Sequence, residues 1–324
     1  MAARIVTYYT FAVVAALAML YLSLFWMPWH MYLREVSSAV VILLSGLLTT
    51  AFVYGYMVYA LHEWGDFVPQ GAGLMTLYIF AYTMMYMSLM SLALAGQGAL
   101  NLAVWAAFVA SAALMIYILR GVPLYITSGN PIEDLKGGVR ILPLALAVGF
   151  PLGWAVAAAY EAYRMYRRGA TLAAASAVAS LIAAFTIYPL YATTRGSQAA
   201  LTLQYAGVEV LLWPGIIGWE ELTSRFMLPA VGPVANYMFV VFHAPSRLFD
   251  LLFVAPAVLA VISMGTRWVT DIYRRHGLLG AVTAHAVYNG MILWIDALFF
   301  FPLLTLITIA LLVYVYIHAN KSRA

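Results

Sequence analysis

The stretch Leu211-Leu212-Trp213-Pro214-Gly215-Ile216-Ile217-Gly218-Trp219-Glu220-Glu221-Leu222-Thr223-Ser224-Arg225 sets two carboxylates and a guanidinium inside a largely apolar run. Proline lacks a backbone donor and cannot continue a helix without a kink, so Pro214-Gly215 divides the segment and a fresh helix is expected just before Gly218. A charge at the centre of a membrane helix costs about 2.5 to 3.5 kcal/mol on insertion scales, so three charges this close need a strong local reason. On an α-helix Glu221 and Arg225 are four apart and therefore neighbours, whereas Glu220 points about 100° away from Glu221 and can face another partner. The pattern suggests an ion pair between Glu221 and Arg225, with Glu220 left as a general base. The competing reading is an ion-pair network that only locks helices together.

The rest of the chain says which solvent surrounds that run. Of 324 residues, 65% are hydrophobic and 9% charged, against soluble norms of about 45 to 50% and about 25%. This composition excludes a disordered chain, a secreted disulfide scaffold and a soluble enzyme. At roughly 30 residues per span and loop, the length allows about 8 to 11 helices, so the expected fold is an all-α polytopic transmembrane bundle. Such a protein is multi-pass and integral, with the cell membrane as its expected location and the lipid bilayer as its first partner. There is no cysteine, which removes disulfides, thiolate nucleophiles and thiolate metal sites together. The net charge of +4 comes from residues lying mostly in short connectors, where they set topology rather than bind nucleic acid.

Three parts follow from the pattern of charge. Residues 1–120 hold apolar runs near 5–27, 37–61, 71–95 and 99–119 with almost no internal charge and no recognised motif. Residues 121–202 hold a polar connector, with the turn signal Ser128-Gly129-Asn130-Pro131, and two apolar runs flanking Arg164, Arg167 and Arg168. Residues 203–324 differ, because their apolar segments carry Glu209, Glu220, Glu221, Arg225, His243, His285 and Asn289. His243 closes the run Phe239-Val240-Val241-Phe242, and His285 and Asn289 lie one helical turn apart, so imidazole and carboxamide project side by side. Two convergent donors can stabilise an oxyanion, an effect worth about 3 to 4 kcal/mol per donor; a hydrogen-bonded core histidine and an interhelical clamp are the bland alternatives. His62-Glu63-Trp64-Gly65-Asp66 has Asp where the helical zinc motif needs its second His, and no G-x-S-x-G, phosphate loop or aspartate pair occurs.

In chain order, Glu220-Glu221-x-x-x-Arg225, Phe239-x-x-x-His243 and His285-x-x-x-Asn289 resemble the three signature motifs of the CPBP (Abi) family of intramembrane proteases, which includes the CAAX prenyl endopeptidases. Gly277-Leu278-Leu279-Gly280 resembles the lead-in to the last motif. The resemblance covers roughly residues 203–318. It implies an endopeptidase in which Glu220 activates a water, His243 orients it, His285 and Asn289 stabilise the oxyanion, and Glu221 and Arg225 support them. It leaves the cofactor open: zinc, if bound, would take Glu220, His243 and His285, and a metal-free glutamate mechanism is preferred. The implied partner is a peptide or protein substrate at the bilayer, prenylated in one branch of the family. The alternatives are a proton-coupled transporter and a non-catalytic scaffold or protective membrane protein.

Overall fold

The computed structural model describes residues 39–64, 102–120, 125–186, 217–226 apart from 219, 234–244 and 254–300, with single residues beyond as far as 314. The described segments are helical almost throughout: α1 (Ala39–Trp64), α2 (Leu102–Leu119), α3 (Pro131–Val139), α4 (Leu142–Gly149), α5 (Pro151–Arg167), α6 (Thr171–Thr186), a π-helical turn at Leu222–Phe226, α7 (Val234–Phe242) and α8 (Ala255–Phe300). Local chemistry sets several boundaries. Asn130 caps α3 by accepting from the Glu133 amide, and Pro131 and Pro151 each occupy a first-turn position, where the missing N–H costs nothing.

Among the described residues an apolar core joins α4, α5, α6 and α8 through Ile141, Val148, Trp154, Ala184, Val261 and Ala284, all buried. It draws on both the 121–202 and the 203–324 parts. Small residues bring helices close, as at Gly55 in α1, where a Cβ would stand 2.1 Å from the Ala173 backbone nitrogen of α6. Helix α1 also lays an aromatic row against the bundle: Tyr56 stacks on Phe52 and on Tyr237 of α7, and its hydroxyl meets Ser263 of α8 at 2.8 Å. Beside it lies a carboxylate that sequence reasoning passed over. Glu161 of α5 is fully buried, accepts from Tyr59 at 2.7 Å and pairs with Arg267 of α8.

Helix α8 is two helices joined at Gly277, whose φ of 64° and ψ of −166° lie outside the helical region. The connector clamps this break. Amides of Leu278 and Leu279, unsatisfied at a helix start, donate to the carbonyls of Tyr125 and Ile126 at 2.9 and 3.0 Å, and the Tyr125 hydroxyl donates to the Arg275 carbonyl at 3.1 Å. Asp134, also fully buried, ties the connector down by accepting from Thr127 and from both the amide and hydroxyl of Ser128.

The expectation of 8 to 11 transmembrane spans is overturned. Among the described residues one helix, Ala255–Ile295, is long and apolar enough to cross a membrane, or two if the pair Pro131–Gly149 and Pro151–Arg167, bent by 104°, counts as one broken span. The apolar stretches Gly46–Ala60 and Thr171–Thr186 are shorter; 16 residues reach only about 24 Å against a hydrocarbon layer of about 30 Å. The length of an apolar run overstates the length of a helix where proline interrupts it, as Pro151 does here. The runs at 5–27 and 71–95, the boundary at 202–203 and Glu209 lie outside the described residues.

Gly277 tests the clamp. A Cβ there would stand 2.7 Å from the Ile126 carbonyl oxygen, and a left-handed backbone costs a non-glycine residue about 1 to 3 kcal/mol. Gly277→Ala is therefore expected to lower the thermal midpoint measured in detergent, and an unchanged midpoint would contradict the clamped break.

Candidate active site

Glu220 and Glu221 end a short helical stretch that widens at once into the π-turn Leu222–Phe226, where Ser224 donates to the Glu220 carbonyl at 2.5 Å. π-Turns are rare, and they concentrate at functional sites because they re-aim side chains. Arg225 Nε bonds Glu221 Oε2 at 3.0 Å, with the two side chains 1% and 0% exposed. The other end of the guanidinium is equally engaged: Nη1 donates to Asn236 Oδ1 of α7 and, at 3.1 Å, to Thr270 Oγ1 of α8, which itself bonds Asn236 at 3.1 Å. Its carbon sits 5.3 Å from the Phe239 ring centre. A guanidinium out of water needs both a counter-charge and partners for its N–H groups. Three elements supply them, so one buried cation joins the π-turn, α7 and α8.

Glu221 does more than neutralise Arg225. Its second oxygen, Oε1, accepts from His285 Nδ1 at 2.7 Å. With Nδ1 so engaged, the imidazole turns its Nε2 toward Glu220 Oε2, 3.6 Å away. The expectation that Glu220 and Glu221 face different partners is thereby corrected: both face His285, one on each ring nitrogen. An oxygen atom at hydrogen-bond distance, about 2.8 Å, from both Nε2 and Oε2 can be placed between them.

Phe239 links the second histidine to this group. Its ring meets His285 edge-on at 5.8 Å between centres and His243 at 4.6 Å, so the two imidazoles flank one aromatic side chain. His243 lies at the end of α7, part-buried, with Nδ1 2.7 Å from the Phe239 carbonyl. A carbonyl only accepts, so Nδ1 carries a proton in this bond. Asn289, half-buried, stands one turn beyond His285 on α8, which places their Cβ atoms about 5 to 6 Å apart. The structure thus brings Glu220, Glu221, Arg225 and His285 into direct contact, joins His243 to them through Phe239, and sets Asn289 on the neighbouring turn.

Sequence reasoning missed Asn236 and Thr270. Asn236 left a trace, since Asn236, Phe239 and His243 fall at i, i+3 and i+7 and share one face of α7. Thr270 left none, being one of many threonines in apolar helices. The zinc set fares less well. Among the described residues no three His, Asp or Glu side chains stand together so as to hold a metal ion, so Glu220, His243 and His285 do not fit zinc and no step below passes through one.

Compared with models of protein families, with curated proteins and with solved structures, the chain matches none.

The two glutamates should separate in a stability measurement. Glu221→Gln removes the counter-charge of a buried guanidinium, and breaking a buried pair costs about 3 to 5 kcal/mol. Glu220→Gln keeps the side chain's shape and loosens only a 3.6 Å approach to His285, so its melting midpoint should fall by less than that of Glu221→Gln. Equal losses in the two variants would contradict the assigned division.

Proposed function

We propose that this protein is an endopeptidase acting at the bilayer, with Glu220 as the base that activates water. The observation that carries the reading is the 3.6 Å approach of Glu220 to His285 Nε2, with Nδ1 of the same ring held by Glu221. Two carboxylates, an imidazolium and the Arg225 guanidinium sum to zero charge, which is what permits four ionisable groups to be buried together. Glu220 takes a proton from water, and the oxygen attacks the peptide carbonyl carbon. Negative charge moves to the carbonyl oxygen, where the His285 Nε2–H and the Asn289 carboxamide donate, while His243 Nε2 orients the attacking water. As the C–N bond breaks, the proton held by Glu220 passes to the departing amine.

Two further features support a membrane setting and this chemical class. His285 lies on the one described helix long and apolar enough to cross a bilayer. The order and spacing of the three motifs resemble those of the CPBP family, whose CAAX endopeptidases suggest a prenylated peptide as the first substrate class to assay. Proton-coupled transport is the second reading, and it draws on the buried Glu161–Arg267 pair, since ionisable groups in apolar helices also mark proton paths.

Activity on quenched fluorescent peptides, with and without a prenylated cysteine, should be measured in phosphatidylcholine vesicles. Glu220→Gln should lose about 10²- to 10⁴-fold, the range for a general base, and Asn289→Ala about 10²- to 10³-fold. Exhaustive chelation should leave activity in place. Parent-level cleavage in Glu220→Gln would overturn the reading, and proton uptake coupled to solute without cleavage would favour transport.

A further inference from the structure

Outside the site, one exposed stripe of α5 changes character along its length. Leu152, Val156, Tyr160, Tyr163 and Arg167 follow at steps of four, four, three and four residues and are all exposed. Over fifteen residues such a stripe drifts by only about 60° around the helix, so it forms one continuous line about 22 Å long. It begins with aliphatic side chains, Leu152 being 76% exposed, passes through two tyrosines and ends in a guanidinium. Arg164 and Arg168 lie beside that end, at the turn into α6. Helix α6 then turns back along α5, and its far end is again apolar, with Ile182 and Phe185 exposed.

A helix end with arginines has a bland explanation, because cations complement the negative end of the helix dipole. The dipole does not explain the tyrosines before the arginines or the bare aliphatics before the tyrosines. Nor is the order confined to one helix. On α2 the exposed line Ala106, Ala110, Ala113, Ile116, Tyr117, Arg120 repeats it, and each arginine lies over the tyrosine preceding it: Arg120 over Tyr117 at 4.0 Å, and Arg167 over Tyr163 at 5.9 Å. In both pairs the guanidinium also donates to the phenol oxygen, at 3.1 and 3.2 Å. Aliphatic, then aromatic, then basic is the order a helix surface meets on passing from hydrocarbon through the interface to the phosphates. A soluble acidic partner would fit the arginines but leave Leu152 and Val156 in water.

We propose that the carboxyl-terminal end of α5, with Tyr160, Tyr163 and Arg167 on its exposed stripe and Arg164 and Arg168 beside it, docks in the bilayer headgroup layer and holds the phosphates of anionic phospholipids. Guanidinium matches phosphate geometry with paired donors, and its stem lies along apolar surface while the head reaches water. Phosphatidylglycerol, with one net negative charge, suits a surface of three arginines, whereas zwitterionic phosphatidylcholine offers no net attraction. The proposal rests on a membrane setting and not on the peptidase chemistry.

The absence of native cysteine makes the test direct on the full chain in lipid nanodiscs. A nitroxide at Val156→Cys should collide with oxygen more and with a water-soluble nickel complex less than one at Tyr163→Cys, the two lying about 10 Å apart in depth. Spin-labelled phosphatidylglycerol should associate more tightly than spin-labelled phosphatidylcholine at low salt. Arg167→Gln should reduce that preference by about fivefold, since a surface arginine contributes about 1 kcal/mol. The triple Arg164→Gln, Arg167→Gln, Arg168→Gln should bring it to parity, and the corresponding triple lysine variant should keep it. Equal association of the two lipids with the parent chain, a preference unchanged in the glutamine triple, or equal water exposure at both labels would overturn the proposal. None of these readouts requires catalysis.

Discussion

The arrangement depends on one carboxylate with two obligations. Glu221 neutralises Arg225 through one oxygen and holds His285 through the other, at 3.0 and 2.7 Å. Because Arg225 also reaches Asn236 and Thr270, the same carboxylate sits at the junction of the π-turn, α7 and α8. In an apolar interior such a junction is all or nothing. With every donor and acceptor met it fixes three helical elements in one register, and with one partner missing a buried charge is left uncompensated. The orientation of the imidazole, and with it the approach of Glu220, is a consequence of that junction rather than a separate feature.

Helix α8 connects this junction to the rest of the fold. Its first half supplies Thr270 to the site and Arg267 to buried Glu161, while its second half supplies His285 and Asn289. The two halves meet at Gly277, and their relative direction is held by the connector that receives Leu278 and Leu279. The geometry between Thr270 and His285, both bonded to the same Arg225–Glu221 pair, is therefore set partly by backbone far from the charges. A site built across a break of this kind needs its break held rigid.

What could be read from the sequence was local. Glu221 and Arg225 are four residues apart, and spacing alone makes them neighbours, π-turn or not. The meeting of Glu220 with His285 was not legible, since 65 positions separate them and only tertiary packing decides which ring nitrogen faces which carboxylate. Helical character followed from composition, but span number did not, because hydropathy counts apolar residues without asking whether a residue such as Pro151 ends the helix inside the run. Glu161 went unread for a related reason: a single carboxylate near Arg164 and Arg167 looks like part of a basic connector until Arg267, on another helix, is seen to cover it.

The account turns on how His285 is held, and the ring protons report that most directly. Nitrogen-15 and proton NMR of the full chain, labelled at histidine and assigned through His285→Gln, distinguishes a protonated Nδ1 from a bare one. The geometry predicts a proton on Nδ1 in a strong bond to carboxylate, with a far-downfield resonance that disappears in Glu221→Gln and persists in Glu220→Gln. A His285 ring protonated on Nε2 alone, with Nδ1 bare, would contradict it.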